Sequence, residues 1–368
     1  MSAVSGQPSA VTIRDLGEFG LIARIRQMLP AASNAVLVAI GDDVALLRLG
    51  IGANGRSPLL LATCDVQVEG AHFLRDKIAP RDLGRKALAI NLSDIGAKGG
   101  LPRFALVSLG LPPDLDIAFV DALYAGLQEE ARQFDVAIVG GNLARASQMF
   151  IDVTLLGEIE PDTFVPRSGA RVGDVIAVTG QLGDAAASLA LLLDESLARE
   201  DAYACLALAR AWTPTPRVRE GRVIALTHAA TAMIDVSDGF AADLGHIADE
   251  SGVGVRVYVE RLPVARENRA LAARCSRHSS RGTPRNTVQD ASAREWHFAL
   301  YGGEDYELIF TAPAAHAEDI ARRVEQETGT RVSFVGEIVP AEAGRVLVIN
   351  GQAMPLEAGG WDHYRGGH

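Results

Sequence analysis

The chain has 368 residues, 48% of them hydrophobic, which is enough to build the cores of two domains. Its 46 acidic residues outnumber its 35 basic ones, and the net charge of −11 argues against a nucleic acid or an anionic membrane as the main partner. No uncharged apolar run approaches the roughly 18 residues of a membrane span, and the three widely spaced cysteines predict no disulfide framework, so we expect a cytoplasmic protein.

The first half mixes strands and helices without strict alternation. Residues 1–17 are predicted to form a flexible tail, and 18–29 have the spacing of a short amphipathic helix. Strands are then predicted over 35–49, 59–64, 104–111, 136–139 and 150–157, and helices over 80–99 and 116–134. This order favours an α+β fold over a doubly wound sheet. A stretch rich in Pro, Arg, Ser and Gly near residue 160 predicts two domains, 18–160 and 161–368.

The second half repeats the mixture. Strands are predicted over 174–179, 232–236, 253–259 and 306–311, and helices over 185–193, 240–250 and 315–328. Residues 266–295 carry seven arginines against three acids and few aliphatic side chains. This segment is either a mobile surface insertion or a basic arm that binds an anion.

Two common phosphate-binding motifs are excluded. Gly50, Gly52 and Gly55 fit the spacing G-x-G-x-x-G, but the chain runs from there into a strand and offers no helix N-terminus for a pyrophosphate. The P-loop pattern G-x-x-x-x-G-K-[ST] does not occur, and the only lysines are Lys77, Lys86 and Lys98. Phosphate recognition therefore falls to arginine, backbone N–H groups or metal.

Acidic residues beside glycine recur at the ends of apolar runs. They are Asp42, Asp43, Asp65, Asp94, Asp235, Asp238, Glu304 and Asp305. Each alone is also what a turn prefers. Together, converging carboxylates need cations between them, and oxygen ligands without a His-Cys cluster indicate Mg²⁺ rather than zinc.

Several carboxylate-bound magnesium ions suggest a polyphosphate ligand, because Mg²⁺ shares its shell with substrate phosphates. Phosphoryl transfer requires mostly positioning and charge neutralisation, and a phosphate acceptor, ionised near neutral pH, needs no general base. This suits a chain without an evident Ser-His-Asp arrangement. His72 is a candidate site residue or a structural histidine, and Arg145 and Arg167 are candidate phosphate clamps or surface ion-pair partners.

The motifs that carry these residues resemble the thiamine-monophosphate kinase family. They are GDDVALL at 41–47, TCDVQVEGAHF at 63–73, KALAINLSDIGAKGGLP at 86–102, GGN at 140–142, RSGARVGD at 167–174, IDVSDGFAADLGHIA at 234–248 and GGEDYEL at 302–308. The resemblance implies two α+β domains of the aminoimidazole ribonucleotide synthetase type and a homodimer whose N-terminal sheets pair. It also implies transfer of the ATP γ-phosphoryl group to thiamine monophosphate with several Mg²⁺ ions.

The resemblance also implies roles for individual positions. Magnesium ligands would be Asp43, Cys64, Asp65, Asp94, Asn142, Asp235 and Asp238. ATP or its metals would contact Gly141, Asn142, Arg167 and Ser237. The thiamine phosphate site would include His72, Glu304 and Trp361, and Trp361 is able to stack on a thiamine ring. No residue is expected to act as a catalytic acid or base.

Three departures from the family pattern stand out. Asn142 occupies a position where the family often has Asp, which removes one negative charge, and Cys64 replaces a common threonine with a poorer ligand for Mg²⁺. The segment 266–295 is longer than usual. Two alternative functions stay open: an ATP-dependent synthetase or ligase of the same superfamily that acts on another substrate, and a non-catalytic nucleotide-binding paralogue.

Overall fold

The computed structural model describes residues 12–29, 33–49, 57–193, 213–278, 294–357 and 359–360. The helices are Ile13–Met28 (α1), Pro80–Gly96 (α2), Ile117–Gln133 (α3), Asp184–Leu193 (α4), Val218–Ala225 (α5), Phe240–Ser251 (α6), Arg266–His278 (α7), His297–Tyr301 (α8) and Ala314–Thr328 (α9). The strands are Val36–Val38 (β1), Ala45–Leu47 (β2), Leu59–Val68 (β3), Leu101–Leu111 (β4), Ala137–Arg145 (β5), Phe150–Ile159 (β6), Asp174–Thr179 (β7), Ala232–Asp235 (β8), Gly254–Tyr258 (β9), Leu308–Pro313 (β10), Val332–Val339 (β11), Arg345–Ile349 (β12) and Gln352–Pro355 (β13).

Six strands form the sheet of the first domain, in the order β1-β2-β3-β6-β4-β5. Strands β3, β6 and β4 pair antiparallel, whereas β5 pairs parallel to β4 at the edge of the sheet. Alternate residues of these strands pack on α2 and α3, so Leu61, Val107 and Val153 lie in one apolar core with Leu88 and Leu127. The opposite face of the sheet carries no helix of this chain among the described residues.

Seven strands form the sheet of the second domain, in the order β13-β12-β9-β11-β7-β10-β8. Its core joins strand residues such as Ile234 and Ile309 to Phe240 and Leu244 of α6. The mixed strand order, with one sheet in each half of the chain, confirms the predicted α+β fold of two domains. Strand β8 lies at one edge of this sheet, and Asp235 at its end accepts a hydrogen bond from Ser93 of the first domain.

Helix α5 of the second domain crosses α2 of the first domain at close range. A methyl group on Gly221 would overlap the carbonyl oxygen of Gly96, and one on Gly99 would overlap the side chain of Ala225. Only glycine therefore lets the two helix backbones approach this closely. This crossing sets the relative position of the two domains beside Asp94.

Two segments differ from the sequence prediction near the N-terminus and at the sheet edge. A short helical piece that begins at Ile13 and is capped reciprocally by Thr12 and Asp15 precedes the predicted helix, so residues 12–17 are not part of a flexible tail. The two pieces of α1 meet at a kink at Gly17, where φ is 67°, and the helix predicted from residue 18 follows the kink. The strand predicted as buried over 136–139 is β5, which continues to Arg145 and is exposed along most of its length. It is exposed because an edge strand has a neighbour on one side only.

The predicted insertion 266–295 is in part a packed helix. Within α7, Asn268 is fully buried and its amide donates to Asp184 Oδ1 over 2.5 Å. The guanidinium of Arg269 lies 4.4 Å from the ring centroid of the buried Trp296. The prediction of a mobile surface insertion is therefore wrong for 266–278, and residues 279–293 lie outside the described part of the chain.

Candidate active site

A cleft of about 1000 Å³ between the domains is lined by four of the eight acids selected from the sequence, Asp42, Asp43, Asp65 and Asp94. Asp43, Asp65 and Asp94 line it from the first domain, and Arg167 and Ser237 line it from the second. These residues come from five segments that lie far apart in the chain. The fold therefore brings the acidic turns of the first domain together at one cleft.

Helix α2 holds Asp94 against the wall of this cleft. Leu92, two residues before Asp94, is fully buried, and its packing prevents the last turns of the helix from rotating. Thr63 Oγ1 donates to Asp94 Oδ2 over 2.5 Å, and the backbone N–H of Asp65 donates to Asn91 Oδ1 over 3.1 Å. The end of α2 and the middle of β3 thus fix each other.

A hydrogen bond links the helix that carries Asp94 to Asp235 of the second domain. Ser93 Oγ donates to Asp235 Oδ2 over 2.5 Å, and Asp235 is 2% exposed at the end of β8. Ser93 stands beside Asp94 in α2, so the same turn of the helix serves both carboxylates. The close crossing of α2 and α5 at Gly96 makes this contact geometrically accessible.

The carboxylates at this junction repel one another. Burial, and then the charges of Asp65 and Asp235, raise the pKa of Asp94 well above its ordinary value. Burial and the charge of Asp43 raise the pKa of Asp235 to about 7. Within the described part of the chain, neither Asp94 nor Asp235 forms an ion pair with a lysine or arginine. The junction therefore favours a bound cation or a bound proton.

The paired acids Asp42 and Asp43 stand in the opposite electrostatic setting. Lys98 Nζ lies 2.7 Å from Asp42 Oδ1 and 2.7 Å from Asp43 Oδ2. The guanidinium of Arg167 binds the other oxygen of Asp43 and also reaches Glu250 over 3.2 Å. Burial by itself would raise the pKa of Asp43, but Lys98 and Arg167 together lower it to about 2.

The turn after β8 carries further acids and a histidine. Asp243 accepts hydrogen bonds from the backbone N–H groups of Ser237, Asp238 and Gly239 at 3.0 to 3.1 Å, which shapes the start of α6. Ligand atoms of Asp238, Asp243 and His246 lie within 4.8 Å of one another. Burial and the charge of Arg167 lower the pKa of His246 to about 4, so its ring is neutral at pH 7.

A smaller pocket of about 90 Å³ adjoins the acids and brings His72 and Glu304 together. The backbone N–H of Val68 donates to Nδ1 of His72 over 3.0 Å, which leaves Nε2 as the protonated nitrogen of a neutral ring. Lys86, 1% exposed, places Nζ 2.7 Å from Glu304 Oε1. Leu189 of α4 adds an apolar wall. The pocket thus combines apolar surface with a few charged groups.

Glu304 belongs to a loop that rests on the turn after β8. Its backbone N–H donates to the carbonyl oxygen of Ser237 over 2.8 Å, and its φ of 67° is unusual for a residue with a side chain. Its neighbour Asp305 accepts from the backbone N–H groups of Gly183 and Ala185 at the start of α4. Asp305 therefore caps the start of α4, a helix distant in the chain, whereas Glu304 lines the pocket.

Two residues predicted as metal ligands do not direct their side chains toward Asp65 and Asp94 within this chain, although Cys64 also lines the cleft. Cys64 follows Thr63 in β3 and points to the opposite face, where its thiol donates to Asp152 over 3.0 Å. Asn142 lies on β5 opposite Ser108 and is separated from β3 by two strands. Gly141 and Arg145 share this edge strand with Asn142. Trp361 lies outside the described residues.

Sequence reasoning missed three residues of the cleft and its neighbouring pocket. Thr63 lies two residues before Asp65 in a strand, a spacing that puts both on one face. Lys98 lies four residues after Asp94, and Lys86 eight residues before it. Helical periodicity alone could have suggested both lysines.

Comparison with known proteins accounts for this arrangement. Residues 41–159 match the family AIR synthase related protein, N-terminal domain, and residues 171–349 match its C-terminal domain. The thiamine-monophosphate kinase of Aquifex aeolicus is 36% identical over 352 residues, which cover 96% of this chain and 99% of that protein. The Salmonella typhimurium enzyme of the same name is 37% identical, over 95% of this chain and 98% of that protein.

The chain belongs to the thiamine-monophosphate kinase family. The solved structure of AaThiL complexed with AMPPCP and TMP has a TM-score of 0.77 and 34% sequence identity, and covers 97% of this chain and 100% of that one. The predicted family, fold class and enzyme class are thereby confirmed. No helix among the described residues is both long and apolar enough to cross a membrane.

Proposed function

We propose that this member of the family transfers the γ-phosphoryl group of ATP to thiamine monophosphate and forms thiamine diphosphate. The observation that carries the proposal is the junction of Asp94 and Asp235, where repelling carboxylates adjoin the pocket of His72 and Glu304. A relative that is 34% identical is described as binding both AMPPCP and TMP. In the transfer, the bond from the γ-phosphorus to ADP breaks as a bond to the acceptor phosphate oxygen forms.

Magnesium fits the residues of the cleft. Hard carboxylate oxygens converge there, and the raised pKa values of Asp94 and Asp235 show charge that a cation would balance. The residues that would hold the ions are Asp65, Asp94, Asp235 and Asp238. The sequence also predicts Asp43, Cys64 and Asn142 as ligands, but Lys98 and Arg167 bind Asp43, the thiol of Cys64 donates to Asp152, and Asn142 lies on the edge strand β5. Magnesium bound there would neutralise charge on the transferred phosphate.

We also propose a cytoplasmic location for this protein.

The residues themselves position the reactants. Arg167 and Ser237 line the cleft from the second domain and would orient the triphosphate. His72 and Glu304, with Trp361, would hold thiamine monophosphate in line with the γ-phosphorus. Because the acceptor phosphate is ionised near neutral pH, no side chain is required to remove a proton from it.

The exposed face of the first sheet supports a homodimer. It presents large apolar side chains to solvent, including Val66 (43% exposed), Phe104 (50%) and Leu106 (39%). Contiguous exposed apolar surface of this kind is typical of a protein interface. Asn142 lies opposite Ser108 on the same face and Gly141 is next to it in β5, so pairing of two sheets would place both residues near the interface.

A turnover assay tests the proposed function. Full-length protein with ATP, Mg²⁺ and thiamine monophosphate is expected to yield ADP and thiamine diphosphate in equal amounts. ADP release that depends on another metabolite would instead support a synthetase or ligase of the superfamily. A thermal shift with Mg-ATP but no phosphoryl transfer would support a non-catalytic paralogue.

A further inference from the structure

Lys98 is completely buried between the two domains. It is 0% exposed, and its ammonium group has three oxygen neighbours: Asp42 Oδ1 at 2.7 Å, Asp43 Oδ2 at 2.7 Å and the carbonyl oxygen of Met233 at 3.0 Å. An ammonium group has three hydrogens to donate. The ammonium donates one hydrogen bond, to the carbonyl oxygen of Met233, and forms ion pairs with the two carboxylates. Three oxygen atoms thus surround it, as they would surround a small bound cation.

The surroundings keep this ammonium charged. The carboxylates of Asp42 and Asp43 each place an oxygen 2.7 Å from Nζ, and an opposite charge at this distance favours the charged form of a lysine. Arg167 binds the remaining oxygen of Asp43 from the other side. The pair Asp42 and Asp43 is therefore neutralised by side chains of this chain, unlike Asp94 and Asp235.

The local structure fixes Lys98 at this point. The turn after α2 is closed by hydrogen bonds from the backbone N–H groups of Lys98 and Gly100 to the carbonyl oxygen of Ile95. A cation at the C-terminus of a helix is favoured by the helix dipole. Met233, the partner in the second domain, lies two residues before Asp235 in β8. One ammonium therefore ties the loop of Asp42 and Asp43 to the strand that delivers Asp235.

We propose that Lys98 is a built-in cation of the metal site. It takes the place between Asp42 and Asp43 that a divalent ion would otherwise have to fill, and it holds this half of the cleft in position before nucleotide arrives. The proposal rests on the magnesium site of the proposed function. It extends that function by assigning one of the positive charges of the site to the protein itself.

Lys86 provides a matched control because it is the other buried lysine of the described residues. It is 1% exposed and lies on α2 itself, and it forms an ion pair with Glu304, in the neighbouring pocket. Loss of its charge should weaken the substrate pocket without changing the demand for divalent ions. Lys77, the third lysine, is exposed.

The test counts the magnesium ions bound by the full-length protein. Lys98→Met keeps much of the side-chain length and removes the charge, and Mg²⁺ binding is measured by equilibrium dialysis in the presence of AMPPCP. We expect Lys98→Met to bind about one more Mg²⁺ per chain than the wild type, and its melting temperature to fall in EDTA and to recover with Mg²⁺. Lys86→Met should keep the wild-type number of ions.

A charge-compensated variant separates charge from packing. Lys98→Met combined with Asp42→Asn restores the net charge of the wild-type cluster and should return the ion count to the wild-type value. If Lys98→Met does not fold, the single variant Asp42→Asn is compared with the double variant Asp42→Asn, Lys98→Met. The double variant should bind Mg²⁺ at least about tenfold more tightly than the single variant. An unchanged ion count and unchanged Mg²⁺ dependence in these variants would overturn the proposal.

The ion count also separates this proposal from the proposed function. A wild type that binds Mg²⁺ with AMPPCP but does not phosphorylate thiamine monophosphate contradicts the function and leaves the test of Lys98 intact. A wild type that phosphorylates thiamine monophosphate, with equal ion counts in wild type and Lys98→Met, contradicts only the role of Lys98.

Discussion

The two halves of the acidic cleft contain the same residue type in opposite electrostatic states. On one side, Asp43 is held between Lys98 and Arg167, and its pKa falls to about 2. On the other side, Asp235 lies near further acids and its pKa rises to about 7. Both acids are buried, so desolvation acts on each. The difference comes from the neighbouring charges.

This contrast distinguishes positive charge that side chains of the protein supply from positive charge that a bound cation or proton must supply. The side of Asp43 is neutral and tied to both domains without any ligand. The side of Asp94 and Asp235 gains stability when a cation or a proton arrives. A ligand that carries magnesium and phosphate would therefore act mainly on the second side, while the first side remains in place.

Asp94→Asn should have the largest effect, and it should act in opposite directions on activity and stability. We expect turnover of thiamine monophosphate to fall by about 100-fold or more, because an oxygen ligand loses its charge. The melting temperature in EDTA should rise, because one repelling charge leaves the junction. Steady-state kinetics and thermal unfolding measure the two effects.

Asp114→Asn is the control for this variant, since it removes the same charge from an exposed loop position. It should leave both quantities nearly unchanged. Full activity in Asp94→Asn would contradict the shared metal site.

Asp43→Asn should have the opposite effect on stability. It removes the carboxylate from two buried cations, Lys98 and Arg167, and should lower the free energy of unfolding by about 3–5 kcal/mol in EDTA. Urea unfolding measures this change. If Asp43→Asn and Asp94→Asn shift stability in the same direction, the contrast between the two halves is wrong.

Gly221→Ala tests the crossing of α5 and α2 that brings the two domains together at the cleft. The added methyl group would overlap the carbonyl oxygen of Gly96 and push α5 away from α2. We expect a loss of about 1–3 kcal/mol and a higher Mg²⁺ requirement, because the contact between Ser93 and Asp235 depends on the crossing. Gly20→Ala, in α1, meets only the side chain of Leu16 and serves as the control. Equal Mg²⁺ dependence in both variants would contradict this role for the crossing.

The smallest expected effect is a pH dependence of stability in EDTA. The raised pKa of Asp235 gives stability that is present below its ordinary value of 3.8 and is lost as the pH rises through about 7. The lowered pKa of Asp43 gives stability that is present above 3.8 and is lost as the pH falls toward about 2.

Thermal unfolding from acid to neutral pH measures the loss on the side of Asp235. Asp235→Asn should flatten the decline near neutral pH, and Mg²⁺ should reduce it in the wild type. A wild type whose melting temperature rises steadily through neutral pH in EDTA would contradict the repulsion at this junction.

Local sequence patterns predicted many of the strands and helices of this protein and one of its key carboxylates. Period-two and helical patterns located β3 and α2, and the apolar run around Asp94 identified it as a carboxylate held rigidly in a core. Short patterns are reliable here because each depends on neighbours a few residues away. The motifs that carry the acids also identified the family.

Only the tertiary structure decided how charge is distributed in the site. The partners that distinguish Asp43 from Asp94 come from a helix end and from the second domain, at separations of 55 and 124 residues for Lys98 and Arg167. The exposure of β5, and with it the position of Asn142, likewise depends on the order of strands in the sheet. Neither is readable from local pattern, because a side chain's charge environment is set by residues that meet it only after folding.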